Sequence, residues 1–240
     1  MRHVIEAQLF AIALAATVVG VTAAGSATDA PSAQAALARL TAGNQRFAAD
    51  VAAEQPIDRT RRGALATGQA PFAIVLSCAD SRVPPETIFN VGLGDVFVVR
   101  AAGAVMDRAV LASVEHGAAH LRAPLLVVMG HEFCETVTAA IETTSSLGPN
   151  LDFLLQAIKP AVDRTAKTPA TERLKAAVMA NVEQVVNDGL GKSAILSRLV
   201  GSGQLTVVGA YYELESGTVT FSQPVSATSV GHTTGTAQQR

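Results

Sequence analysis

Three short aliphatic runs, Phe72–Leu76, Val96–Val99 and Leu125–Met129, constrain this chain more than any other feature. None alternates apolar with polar residues. Each therefore reads as a strand covered on both faces, as in a parallel sheet. A fourth apolar run, Leu205–Tyr212, is followed by "ESGTVTF", a hairpin signal with Gly217 near the turn. Helical patterns separate or follow the runs. Asp107–Leu121 reads as helix with Asp107 as N-cap, and Cys134–Thr144 as helix after "GHEF". Leu151–Val162, Thr171–Asp188 and Ser193–Val200 complete the series. Ahead of the first run, Ser32–Asp50 places Ala36, Leu37, Leu40 and Phe47 on one helix face, and a second helical piece spans Pro56–Thr67. The expected fold class is α/β, a central, mostly parallel β-sheet flanked by helices, with an N-terminal helical arm.

The two ends of the chain read differently from its middle. Arg2 and His3 precede the apolar stretch Leu9–Ala24, and small residues follow it, "GSATDAPSAQA". Basic, apolar and small-residue regions in that order make residues 1–27 a secretory signal, with cleavage between positions 24 and 35. The alternative is an anchor that stays in the membrane, for which the stretch is close to the short limit. With the signal removed, the protein is expected in the periplasm or secreted, with no membrane association. From Pro224 to Arg240 little can be buried, and residues 224–240 read as a disordered tail. Residues 32–223 then form one domain. A net charge of −2 without a long basic run gives no footprint for nucleic acid.

The chain has only two cysteines, and each follows a strand-like run: Cys78 in "SCADSR", Cys134 in "GHEFC". In an oxidising compartment a disulfide is the first expectation. Their chemically capable neighbours argue for a metal instead. In α/β folds ligands bind beyond the carboxyl ends of the strands, where both cysteines fall. His131 precedes Cys134 by three positions, so with a helix starting near His131 the two side chains point the same way. Two thiolates and one imidazole suit Zn2+, and three protein ligands leave one position open, as in catalytic zinc sites. Asp80 is the simplest fourth ligand. Alternatively, Arg82 pairs with Asp80 and holds it ionised and off the metal. The plain structural reading is that Asp80 caps the turn and Arg82 is a surface cation.

Together "SCADSRVPPE" and "GHEFC" resemble the β-class carbonic anhydrases, whose signature is C-x-D-S-R followed some fifty residues later by H-x-x-C. The likeness extends through "TAGNQRF", "GQAPFAIVLSCADSRV", "IFNVGLGDVFVVRAAGAV", "ASVEHGAAHL" and "VVGAYYELESGTVTF", from about Leu40 to Phe221. The resemblance implies a β-carbonic-anhydrase-like fold and zinc-dependent hydration of CO2 to bicarbonate and a proton by zinc-bound hydroxide. It assigns Cys78, His131 and Cys134 as metal ligands and Asp80 with Arg82 as the catalytic dyad. Gln69 would bind the substrate oxygen, and Phe97, Ala102 and Gly103 would line the pocket. It further implies a homodimer or dimer of dimers with the pocket at the subunit interface and the N-terminal helix wrapping the partner. In one subgroup the aspartate closes onto zinc, beside a Trp three residues before the first cysteine. Val75 stands there in a chain without Trp, so the open form is expected.

Some positions depart from the family pattern. Glu132 and Glu135 flank the Cys134 motif where Ser/Thr and Gly are usual, Ala101 and Ala104 replace two Asn, and His116 replaces an aromatic residue. His116 or His120 as a proton relay is one reading, a structural or merely exposed His the other. The departures leave two alternatives to CO2 hydration. One is hydrolysis of a CO2-like molecule such as carbonyl sulfide or carbon disulfide. The other is a zinc-binding protein without turnover.

Overall fold

The computed structural model describes residues 31–51 and 53–225. The signal-like segment and most of the C-terminal tail lie outside the described residues. Among the described residues no helix is long and apolar enough to cross a membrane.

Five strands form one sheet: β1 (Ala73–Ser77), β2 (Val96–Arg100), β3 (Leu125–His131), β4 (Thr206–Tyr212) and β5 (Val219–Phe221). Their order is β2-β1-β3-β4-β5. The first four are parallel, and β5 folds back antiparallel on β4 after the Gly217 turn. The pairing extends beyond the hairpin to Val225, which exchanges backbone hydrogen bonds with Val207 at 2.7 and 3.2 Å.

Helices cover both faces, which is why the strands carry unbroken aliphatic runs. On one face Ile74, Leu76, Leu126, Val128 and Val207 pack under α4 (Arg108–Glu115), α7 (Ala170–Lys192) and α8 (Ala194–Gly201). On the other, Val75, Val127 and Val208 meet Ala36 and Leu40 of α1 (Ala33–Ala48). Ile88, from the one-turn α3 (Pro85–Ile88), and Phe89 complete this layer. A third cluster joins α7 to α5 (Glu135–Glu142) and α6 (Pro149–Arg164) and includes both cysteines. The remaining helix, α2 (Arg59–Leu65), is capped by Asp58.

The expected arm, α1, lies on its own chain. Asn44, 4% exposed, ties it to the hairpin by donating to Gly217 O and Ile88 O and accepting from Val219 N. Asp107 caps α4 by accepting from Val110 N at 2.8 Å, as the sequence suggests. The expected helix to Leu121 is interrupted: α4 ends at Glu115 and a π-helical turn spans His116–His120. The turn packs closely on the sheet: a Cβ on Gly117 would lie 2.9 Å from Ile74 and 3.1 Å from Phe97.

The chain runs from β1 outward to β2, then crosses back to place β3 on the other side of β1. Strand order reverses between β1 and β3. The carboxyl ends of these two strands therefore diverge into a crevice, the usual place for a ligand in an open α/β sheet.

Candidate metal centre

Cys78 follows the last residue of β1, and His131 is the last residue of β3. The sequence reading that starts a helix near His131 is corrected here. His131 continues the ladder opposite Tyr212 on β4, a long-range pairing with no local signature. The chain then turns sharply through Phe133, at φ 51°, and Cys134 becomes the N-cap of α5. Strand end and helix cap thus present the two side chains, rather than one helix face. Gly130 enables this by close approach: a Cβ there would lie 2.6 Å from Val178 and 2.8 Å from Val182 of α7.

The ligand atoms of Cys78, His131 and Cys134 lie within 4.8 Å of one another, and all three residues are buried. Both cysteines are free thiols, so no disulfide joins them. His131 Nδ1 lies 2.8 Å from Glu132 O. A carbonyl only accepts, so Nδ1 carries the proton and Nε2 keeps a lone pair. That Nε2 is buried and has no hydrogen-bond partner among the described residues. A buried imidazole lone pair facing two buried sulfurs is costly unless something fills the space between them. Two soft sulfurs and one nitrogen fit zinc in number, type and closeness.

The two thiols act on each other in opposite directions. The Cys134 thiol first, with the N–H groups of Asp80 and Gly103, lowers the Cys78 pKa to about 4 against the opposing effect of burial. Cys134 is pushed upward by the same contact with Cys78 and by burial. The backbone donors are 3.4 Å (Asp80 N) and 3.3 Å (Gly103 N) from Cys78 Sγ.

Asp80 stands beside this group, with Oδ2 4.0 Å from His131 Nε2. It is locked by Arg82: Nε reaches Oδ1 at 3.0 Å, Nη2 reaches Oδ2 at 2.7 Å, and the Arg82 N–H reaches Oδ1 at 2.9 Å. The guanidinium bonds hold the carboxyl down at about 2, although burial opposes them. Arg82 Nη2 also donates to Phe133 O at 3.3 Å, linking the two motif loops. Arg100, a residue the sequence reading did not single out, clamps the same loop by donating to Cys78 O at 3.0 Å and Asp80 O at 2.6 Å. A cation at the end of an edge strand was the available signal.

The other predicted residues are placed as follows. Ala102 and Gly103 lie in the 3-10 turn after β2, where Gly103 reaches Cys78. Phe97 packs against the layer under α4, its ring 6.0 Å from that of His116, which in turn lies 5.2 Å from His120. Gln69 is exposed and lines a separate cavity of about 730 Å³ with Ile57, Leu65 and Val96; none of the three candidate ligands borders it. Glu132 turns its carboxylate to Leu214 N at 3.1 Å, toward the hairpin, and Glu135 is exposed in the first turn of α5. Ala104 adopts φ 53°, a conformation that an Asn tolerates better than an Ala.

A family model described as carbonic anhydrase matches residues 73–219. Carbonic anhydrase 2 of Mycobacterium tuberculosis is 36% identical over 181 residues, covering 74% of this chain and 87% of that protein. The carbonic anhydrase of Mycolicibacterium smegmatis is 34% identical over 185 residues, covering 75% and 88%. Among solved structures, the Coccomyxa β-carbonic anhydrase in complex with acetazolamide superposes with a TM-score of 0.67 at 27% identity, covering 81% of this chain and 90% of that one. One of two tetrameric β-carbonic anhydrases from Sordaria macrospora gives 0.63 at 26% identity, covering 78% and 95%.

Proposed function

Since the chain belongs to the β class of the carbonic anhydrase family, we propose that it interconverts CO2 and bicarbonate at a zinc ion held by Cys78, His131 and Cys134. The observation that carries this reading is the unpartnered, buried His131 Nε2 beside two buried thiols, with the Asp80–Arg82 pair next to it. When bound, the metal supplies a Lewis acid that makes hydroxide available near neutral pH.

The rest of the work falls to the chain's own groups. His131 is oriented by its Nδ1–H bond to Glu132 O, so that Nε2 is the donor atom. The Asp80 N–H and Gly103 N–H spread the charge on the Cys78 sulfur. Asp80 stays ionised and offers an acceptor that orients the attacking oxygen and takes its proton. Arg82 keeps that acceptor in place and away from the ligand position, which is the open form. Ala102 and Gly103 wall the site beside the ligands.

The proposal includes a homodimer or dimer of dimers with the pocket at the subunit interface, in which Gln69 serves the site across the subunit boundary. It is supported by the separation of Gln69 from the ligands within one chain and by the tetrameric relatives from Sordaria macrospora. It also includes action in the periplasm or outside the cell, supported by the signal-like order of the N-terminal sequence.

The test is stopped-flow CO2 hydration by the zinc-loaded protein across pH. The expected result is a rate well above background, reduced roughly 10²–10⁴-fold in Asp80→Asn with one zinc per chain retained. No rate from a protein carrying one zinc per chain would refute it and favour carbonyl sulfide or carbon disulfide as substrate, to be assayed next.

A further inference from the structure

Asn181 sits on the buried face of α7 among Ala177, Val178, Val182 and Val185, and is 3% exposed. Its Nδ2 donates to Gly103 O at 2.8 Å, across 78 residues of sequence. Its Oδ1 is buried and has no partner among the described residues. The amide satisfies Gly103 O at the cost of an unpaired oxygen of its own, so its presence calls for an explanation.

That explanation lies within one residue. Gly103 turns with φ 64° and ψ 14°, and its own N–H donates to Cys78 Sγ at 3.3 Å. The carbonyl and the N–H of Gly103 are separated only by its two backbone torsions. Holding the carbonyl restricts those two torsions and so favours the direction in which the N–H points. The surroundings offer no substitute anchor, because the space beside Gly103 Cα is occupied by Ile158 and the methyl of Thr136. Asn181 is thus the one side chain among the described residues that donates to Gly103 O, and it reaches it from an element remote from both cysteine motifs.

We infer that Asn181 is a positioning residue of the metal centre: by anchoring Gly103 O it aims the Gly103 N–H at the Cys78 sulfur and sets how that sulfur binds zinc. The inference rests on the zinc reading of the Cys–His–Cys group and not on turnover. Groups that orient metal ligands from outside the coordination shell typically change metal affinity by roughly 10–100-fold when removed.

The experiment compares the native protein with Asn181→Leu, which keeps the volume, removes Oδ1 and removes the donor, leaving Gly103 O unpaired. Three quantities are read: the zinc dissociation constant by competition with a chromophoric chelator, the thiolate-to-metal charge-transfer band of the cobalt-substituted protein, and the melting temperature of the zinc-free protein. The expected result is a variant that still folds, melts somewhat below the native temperature because Gly103 O loses its donor, binds zinc roughly 10–100-fold more weakly, and shows a shifted charge-transfer band. A variant that folds, binds zinc within about twofold of native and leaves the band unmoved overturns the inference. A second measurement needs no variant. In the native protein loaded with cadmium-113, a scalar coupling is expected between the metal and the Gly103 amide proton across the N–H···S bond, and its absence overturns the inference. A native protein that takes up no zinc overturns it together with the reading it rests on; native uptake with an unaffected variant overturns it alone.

Discussion

Gly103→Ala tests how tightly the wall behind the site is built. Two costs follow from the structure. At φ 64° an alanine sits in the left-handed region, which costs about 1–2 kcal/mol relative to Gly. Its Cβ would also lie 2.7 Å from Ile158 Cδ1, well inside the ordinary carbon–carbon contact distance of about 3.5–4.0 Å. Ile158 is fully buried among Val137, Val162 and Val178 and has nowhere to go, so overpacking adds about 1–3 kcal/mol. The sum is about 2–5 kcal/mol, or roughly 5–20 °C in melting temperature for a domain of this size. Ile158→Val removes the offending Cδ1 and alone costs about 0.5–1.5 kcal/mol. In the double variant the clash is gone and only the left-handed term remains. A double-mutant cycle on zinc-free protein, followed by urea and thermal unfolding, should therefore give a favourable coupling of about 1–3 kcal/mol. Additivity within about 0.5 kcal/mol would refute the steric reasoning and leave backbone strain alone.

Three further outcomes follow from the same geometry. Asp80, held at about 2 by Arg82, binds fewer protons folded than unfolded, where its value is 3.8; its stabilising contribution is present above pH 4 and lost as pH falls toward 2. The stability difference between zinc-free native protein and Asp80→Asn should shrink over that interval in urea titrations, and a constant difference would contradict it. Asn44→Ala strands Gly217 O, Ile88 O and Val219 N beneath α1 and should cost about 3 kcal/mol, read as a lower urea midpoint; a loss below about 1 kcal/mol would mean water replaces the amide. Burial, with Glu132 and Glu213 nearby, pushes the Tyr211 phenol up to about 12, and burial raises Tyr212 as well. As these are the only two tyrosines, absorbance at 295 nm should show neither half-ionised at pH 10 while the protein remains folded.

Much of this architecture was legible because its causes are local. The aliphatic runs placed β1 and β3 within a residue or two, since strands buried on both faces are built mainly from aliphatic residues. Asp107 was legible as a cap because its side chain satisfies an amide three residues on. The metal-binding candidates were legible because thiols and an imidazole at strand ends are chemically unusual wherever they occur. What escaped was non-local. His131 looked like the start of a helix because its strand pairing is with Tyr212, far along the chain. The π turn at His116–His120 brings Gly117 against Ile74 and Phe97, contacts with remote strands that have no local signature. Asn181 left one trace, a polar residue on an otherwise aliphatic helix face, but its partner was invisible without the fold.

The reversal of strand order between β1 and β3 has a kinetic side. Cys78 and the His131–Cys134 pair approach each other only after the β1–β3 ladder has formed, and that ladder joins Ser77 to Met129 across a long loop of sequence. Closing such a loop is slow and precedes any reward from the contacts it makes. On the proposed zinc reading, metal capture should therefore follow formation of the sheet, unlike the small zinc modules that are unfolded without their ion. Chelation should silence this protein while leaving its sheet standing, and returning zinc should restore it without a refolding lag.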